Sequence, residues 1–171
     1  TGSKQPKKKN KNPEKFKIFE ITKEHTEDLA ALYKKIFATY PFPIFKERYL
    51  NKTIDDNIRY FGVKDEEKGI LAAAASAEMD FENSAAEMTD FACLPEYRGL
   101  SFAYFLLERM EKAVREENGV KTFFTIARAV SFGMNITFSR CGYKYTGTLI
   151  NNTNISGGLE SMNVWFKVIH P

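Results

Sequence analysis

The sequence predicts a single α/β domain, on three observations. At 171 residues, 43% of them hydrophobic and 27% charged, the chain can bury one sizeable core and not two. Strand-like alternation and helix-like spacing of apolar residues succeed each other in the order β-α-α-β-β-β-α-β-α-β-β. A charged turn joins two of the strands directly, as an antiparallel hairpin requires. The longest apolar stretch, residues 69–75, falls far below the roughly 20 residues of a membrane-spanning helix, and no signal-peptide pattern opens the chain. A cytoplasmic protein without membrane contact is therefore expected.

Residues 1–15 are read as a disordered basic arm or linker and residues 16–171 as the folded domain. Seven lysines and one glutamate fall within the first 17 positions, which leaves the rest of this +3 chain mildly acidic. No interleaving of aromatic and basic residues follows the arm, so no nucleic-acid partner is expected. Thr1-Gly2-Ser3 opens the chain without methionine and reads as a cut or processed edge.

Residues 15–21 alternate Phe16, Ile18 and Phe19 with charge and form a first strand. Thr26 caps a helix with Glu27 and Asp28 in its first turn and Leu29, Leu32, Tyr33, Ile36 and Phe37 at helical spacing; Pro41 and Pro43 end it. The aromatic loop Tyr40-Pro41-Phe42-Pro43-Ile44 is either core lining or a lid over a substrate. Residues 46–51 make a short second helix. Residues 58–64 and 69–80 are strands about the turn Asp65-Glu66-Glu67-Lys68, although the alanines at 72–75 favour helix by propensity. Residues 85–93 form the next strand, ended by Leu94-Pro95.

A helix opening on Ser101 places Phe102, Phe105, Leu106, Met110, Ala113 and Val114 on one face, and Asn118-Gly119 stops it. Residues 120–127 are a buried strand and residues 131–141 a helix closed by Gly142. Residues 143–150 and 161–168 form a last strand pair, with a polar loop at 151–158 between them. Cys93 and Cys141 lack the spacing of a zinc site and read as reduced, buried thiols; no metal is expected.

The strand, short basic glycine loop and helix of residues 85–115 make an anion site, because the unpaired amides of residues 100–103 and the helix dipole favour a phosphate. Ser101 as a plain N-cap is the local alternative. Four acids, Glu78 and Asp80 on one strand and Glu87 and Asp90 on the next, lie near the apolar middle of the sheet, where burial raises their proton affinity.

Leu94-Pro95-Glu96-Tyr97-Arg98-Gly99-Leu100-Ser101-Phe102-Ala103 resembles the acyl-CoA loop Arg/Gln-x-x-Gly-x-Gly/Ala of the GNAT N-acetyltransferases, with Ser101 in place of the middle glycine. Phe138-Ser139-Arg140-Cys141-Gly142-Tyr143 is similar to the family's second signature, with Phe138 where a tyrosine acid is often found. The resemblance implies a mixed, mostly antiparallel central sheet flanked by helices, and acetyl-CoA as cosubstrate. Its pyrophosphate would lie over Arg98, Gly99, Leu100, Ser101, Phe102 and Ala103, and its pantetheine along Phe91, Ala92 and Cys93; Asn135 would bond substrate or CoA. Glu87 would be the base that frees the amine, with Asp90 in that role if a bulge turns the strand.

The blocks Glu87-Met88-Thr89-Asp90-Phe91-Ala92, Thr125-Ile126-Ala127-Arg128-Ala129, Ser131-Phe132-Gly133-Met134-Asn135 and Asn151-Asn152-Thr153-Asn154-Ile155, with Glu160-Ser161-Met162-Asn163-Val164-Trp165, resemble the β-lysine N6-acetyltransferase branch of that family. This implies acetylation of the ε-amine of β-lysine to a compatible solute in osmoadaptation. Glu78, Asp80, Asp90 and Glu160 would serve the substrate ammoniums, and Arg128 its carboxylate. The partner is then a small-molecule amine, with a homodimer an open option. A protein or peptide N-acetyltransferase and a non-catalytic acyl-CoA-binding regulatory domain are the two alternatives.

Overall fold

The computed structural model describes residues 15–117 and 119–169. Its strands are β1 (Phe16–Ile21), β2 (Ile58–Asp65), β3 (Ile70–Asp80), β4 (Ala85–Cys93), β5 (Thr122–Arg128), β6 (Lys144–Ile155) and β7 (Gly158–Val168). Its helices are α1 (Thr26–Ile36), α2 (Glu47–Asp55), α3 (Phe102–Arg115) and α4 (Phe132–Arg140). The strands form one sheet in the order β1-β2-β3-β4-β5-β7-β6, antiparallel except at β4 and β5. This is the mixed, mostly antiparallel sheet with flanking helices that the sequence implied.

Adjacent residues on β2 show how the helices are layered, since neighbours on a strand point to opposite faces. Tyr60 meets the Thr53 hydroxyl of α2, whereas Arg59 donates to the Ala113 carbonyl and Glu117 at the end of α3. Helices α1 and α2 therefore cover one face and α3 the other. The alanines of β3 sit between these layers, with Ala72, Ala74 and Ala75 fully buried. Burial on both faces overrides their helical propensity, and small side chains let both layers approach the sheet.

Two elements differ from expectation. The second helix runs on to Asp55, because Leu50 and Thr53 both face the core and carry the apolar stripe past residue 51. The expected loop at 151–158 is instead the end of one strand and the start of the next, joined by Ser156-Gly157 with φ of +53° and +93°, the signs of a two-residue type I′ hairpin turn. Edge strand β6 is exposed along most of its length, so no apolar alternation carried the expected strand past residue 150.

Lys15, assigned to the arm, pairs with Glu67 and accepts the Glu66 amide through its carbonyl. The rest of the arm, and Asn118 of the expected helix stop, lie outside the described residues. No described helix is long and apolar enough to cross a membrane.

Candidate active site

Pairing between β4 and β5 is confined to Ala85–Thr122, Ala86–Phe123 and Glu87–Phe124. Beyond that fork the strands part, and a cleft of about 770 Å³ opens between them, reaching from Arg98 and Ser101 at one end to Tyr40 and Asp90 at the other.

The Arg98 end is built by backbone conformation. Gly99 and Ser101 both adopt left-handed conformations, with φ of +78° and +63°. Ser101 thus occupies a glycine-type position, and its hydroxyl makes no N-cap bond to α3. The amides of the first turn of α3 stay free for an anion. A neighbouring contact holds this loop: the Tyr97 hydroxyl donates to Asp65 at 2.8 Å, while the other oxygen of Asp65 accepts the Glu67 and Lys68 amides of the β2–β3 turn. Arg98, Gly99, Ser101, Phe102 and Ala103 line the cleft with Phe91, Ala92 and Cys93. Leu100 instead packs against the core. Burial pushes the Cys93 thiol up, and its S–H points at the Leu94 carbonyl.

At the other end Asp90 lines the cleft, and Glu78 and Glu87, which are not among its lining residues, stand beside it on the same face of the sheet. Glu78 and Glu87 stand directly opposite across the β3–β4 ladder. An extra residue in β4 shifts the register between Ala74–Ala92 and Ser76–Thr89. This bulge gives Asp90 a φ of +55° and turns its side chain to the same face, where it accepts from Ser76 Oγ at 2.6 Å and from the Tyr40 hydroxyl. Burial, opposed by these hydrogen bonds, leaves the Asp90 carboxyl above the usual range. Burial, then Asp90 and Asp80, raises Glu78 likewise. Glu87 sits at the fork itself; burial and the charges of Asp90 and Glu78 push it up to about 7, against a hydrogen bond from the Ile126 amide.

Other sequence candidates are committed elsewhere. Asp80 accepts from the backbone and side-chain amides of Asn83, which closes the exposed β3–β4 turn and holds its carboxyl low. Arg128 lines the cleft, but its Nε and Nη2 grip Glu160 at 2.7 and 2.6 Å. That pairing holds the Glu160 carboxyl low and takes up two of the three guanidinium nitrogens of Arg128. Asn135 donates to the Arg128 and Ser131 carbonyls and accepts from Asn163 and Trp165 Nε1, so its amide is fully used within the fold. Phe138 is buried in the cleft wall, edge-on to Phe91 and Tyr143. Tyr143 is buried behind it, and the Tyr145 hydroxyl bonds Thr148.

Sequence reasoning missed the hydroxyls of Tyr40 and Ser76, which no spacing rule could pair with Asp90, though the aromatic loop that carries Tyr40 was visible. It also missed Thr39. The carbonyl and hydroxyl of Thr39 accept the Ser156 and Gly157 amides of the β6–β7 turn at 3.2 and 2.9 Å. The α1–α2 loop and the hairpin tip are thus joined at the Tyr40 end of the cleft, which Ile155 also lines.

Comparison with known proteins fits this arrangement. Over 155 residues the chain is 48% identical to a beta-lysine N(6)-acetyltransferase of Methanococcus maripaludis, spanning 91% of this chain and 56% of that protein. It is 47% identical over 153 residues to the N-acetyltransferase YodP of Bacillus subtilis, spanning 88% and 54%. The chain thus spans a little over half the length of these curated relatives. A mutant form of the spermidine/spermine N-acetyltransferase SpeG from Vibrio cholerae superposes with a TM-score of 0.73 at 17% identity, over 91% of this chain and 94% of that one. The sequence model of the acetyltransferase (GNAT) family matches residues 21–143. With that match spanning the helices, the forked strands and the phosphate-type loop, the chain belongs to the GNAT acetyltransferase family.

Proposed function

We propose that this domain transfers acetyl from acetyl-CoA to the ε-amine of β-lysine. The observation that carries the reading is the fork between β4 and β5, which sets an anion-binding loop at one end of a continuous cleft and the half-buried Asp90 at the other, with Glu87 at the fork itself. The left-handed backbone at Gly99 and Ser101, the free amides of α3 and Arg98 suit a pyrophosphate, and the unpaired edge of β4 suits an extended polar chain such as pantetheine. Acetyl-CoA supplies the acyl group; the protein's own task is to orient the amine and remove its proton.

An amine of pKa near 10.4 is protonated at neutral pH, and freeing its lone pair costs about 3.4 units, or roughly 4.6 kcal/mol. Glu87, brought to about 7, is matched to accept that proton, directly or through a water, and release it afterwards. With Phe138 in the cleft wall, the thiolate leaves without a phenol there, which a thiol pKa of about 8.5 allows. Arg128 meets the substrate carboxylate through the Nη1 that its pair with Glu160 leaves over.

The bridge between Thr39 and the hairpin tip supports a small acceptor over a peptide, since it roofs the end where a chain would have to pass. The names of the relatives support β-lysine among small amines. The product suits a compatible solute: acetylating one of two ammoniums leaves a zwitterion of no net charge. Thiol release from acetyl-CoA, measured with β-lysine, α-lysine, 1,5-diaminopentane and a lysine-bearing peptide, tests the reading. β-Lysine should give the highest kcat/KM, and preference for the peptide overturns it.

A further inference from the structure

The acidic face beside the fork holds more negative charge than one base requires. Glu78, Glu87 and Asp90 act on one another, and no lysine or arginine is among the groups that shift them. Like charges directly opposite on a ladder are destabilising, and buried unpaired carboxylates more so. Phenols on four neighbouring segments stand near them, Tyr60 on β2, Tyr33 on α1, Tyr40 in the α1–α2 loop and Tyr49 on α2, each raised by burial and next or further on by Asp90. The only hydroxyl on β3 in this network, Ser76 Oγ, already donates to Asp90.

Tyr33 is the informative member. Its side chain is 0% exposed, its hydroxyl has no hydrogen-bond partner among the described residues, and the charge that bears on it most is Asp90. A fully buried phenol oxygen without a partner costs stability, and natural folds leave such groups where something else supplies the bond. No set of three acids, cysteines or histidines among the described residues is arranged to hold a metal ion. The lone pairs left on these carboxylates and the Tyr33 oxygen suit a polyatomic cation with several donors.

We infer that Asp90, Glu78 and the Tyr33 hydroxyl form a subsite for the acceptor's second ammonium, the one that is not acetylated. An ammonium offers three N–H donors: two reach lone pairs left on the carboxylates, and the third reaches the Tyr33 oxygen. Asp90 and Tyr40 line the cleft, so the cation enters past Tyr40. The domain would thus select short acceptors carrying two ammoniums, which sets Glu87 free to act on the other amine. This deepens the function proposed above and rests on it for the reacting amine.

The test is a calorimetric titration of the domain saturated with CoA, which cannot turn over, using 1,5-diaminopentane and 1-aminopentane. The diamine should bind at least ten-fold tighter. Asp90→Asn should remove most of that advantage, and Tyr33→Phe, which keeps the ring and its packing, should shrink it about three-fold. Titration at pH 7 in buffers of different ionisation enthalpy should show protons released on diamine binding, more than with the monoamine, because the cation draws down Glu87, which lies at about 7 beside Asp90 and Glu78. Equal affinity for the two amines overturns the subsite, as does Tyr33→Phe weakening both alike. β-Lysine turnover with equal diamine and monoamine binding defeats only the subsite; selective diamine binding without β-lysine turnover defeats only the proposed acceptor.

Discussion

A left-handed backbone costs an L-residue such as Ser101 roughly 1 kcal/mol that glycine avoids. Ser101→Gly should therefore raise the urea midpoint slightly and leave acetyl-CoA affinity equal or tighter; weaker binding would show that the hydroxyl itself holds a phosphate. Glu87 makes the opposite compromise. Its pKa in the fold, about 7, lies above the ordinary carboxylate value, so the folded state holds a proton that the unfolded state has lost, and stability falls as pH rises between those two values. Glu87→Gln should accordingly melt higher than the parent at pH 8 and close to it at pH 4. The same substitution should lower turnover about 10²- to 10⁴-fold at neutral pH, with partial recovery at high pH where the amine is already free. Glu87 and Asp90 were both legible in the sequence as polar residues in an apolar strand, but the face they share was not. Whether Asp90 shares a face with Glu87 depends on one extra residue in a ladder, and a bulge leaves no mark on the alternation of β4.

Between elements, the loop before α3 is held from outside itself. Tyr97 hangs on Asp65, two strands away in the sheet, so removing that hydroxyl should loosen the loop without touching the acceptor end. Tyr97→Phe should raise the KM for acetyl-CoA several-fold, leaving kcat and the acceptor KM near parent values; a parallel fall in kcat would mean that the pair serves general stability only. Asn135 ties the end of β5, the start of α4 and β7 together through four hydrogen bonds. Asn135→Ala should cost about 2–4 kcal/mol in chemical denaturation, by orphaning several partly buried groups at once. The order of elements was readable because helix and strand periods differ so strongly in α1, α3 and β1. The full length of the β6–β7 hairpin was not, because past the strand pair expected at 143–150 and 161–168 its asparagine- and threonine-rich end reads as a polar loop until the tight turn is seen.

For the molecule as a whole, the fold positions the site by leaving part of its sheet unmade. Past Glu87, β4 is bonded to β3 on one side only, although β5 continues alongside to Arg128. The result is an edge in the interior of a seven-stranded sheet, with main-chain donors and acceptors that only water or an extended guest can satisfy. A ligand lying there stands in for a length of strand, and its arrival is a local completion of the secondary structure. Amide hydrogens of residues 89–93 that face the gap should exchange rapidly in the free protein and become slow under saturating CoA, whereas those of β3, flanked by strands on both sides, stay slow throughout. Rapid exchange at those positions with CoA bound would mean that the guest runs elsewhere in the cleft and that the opening between the strands is shaped for side chains alone.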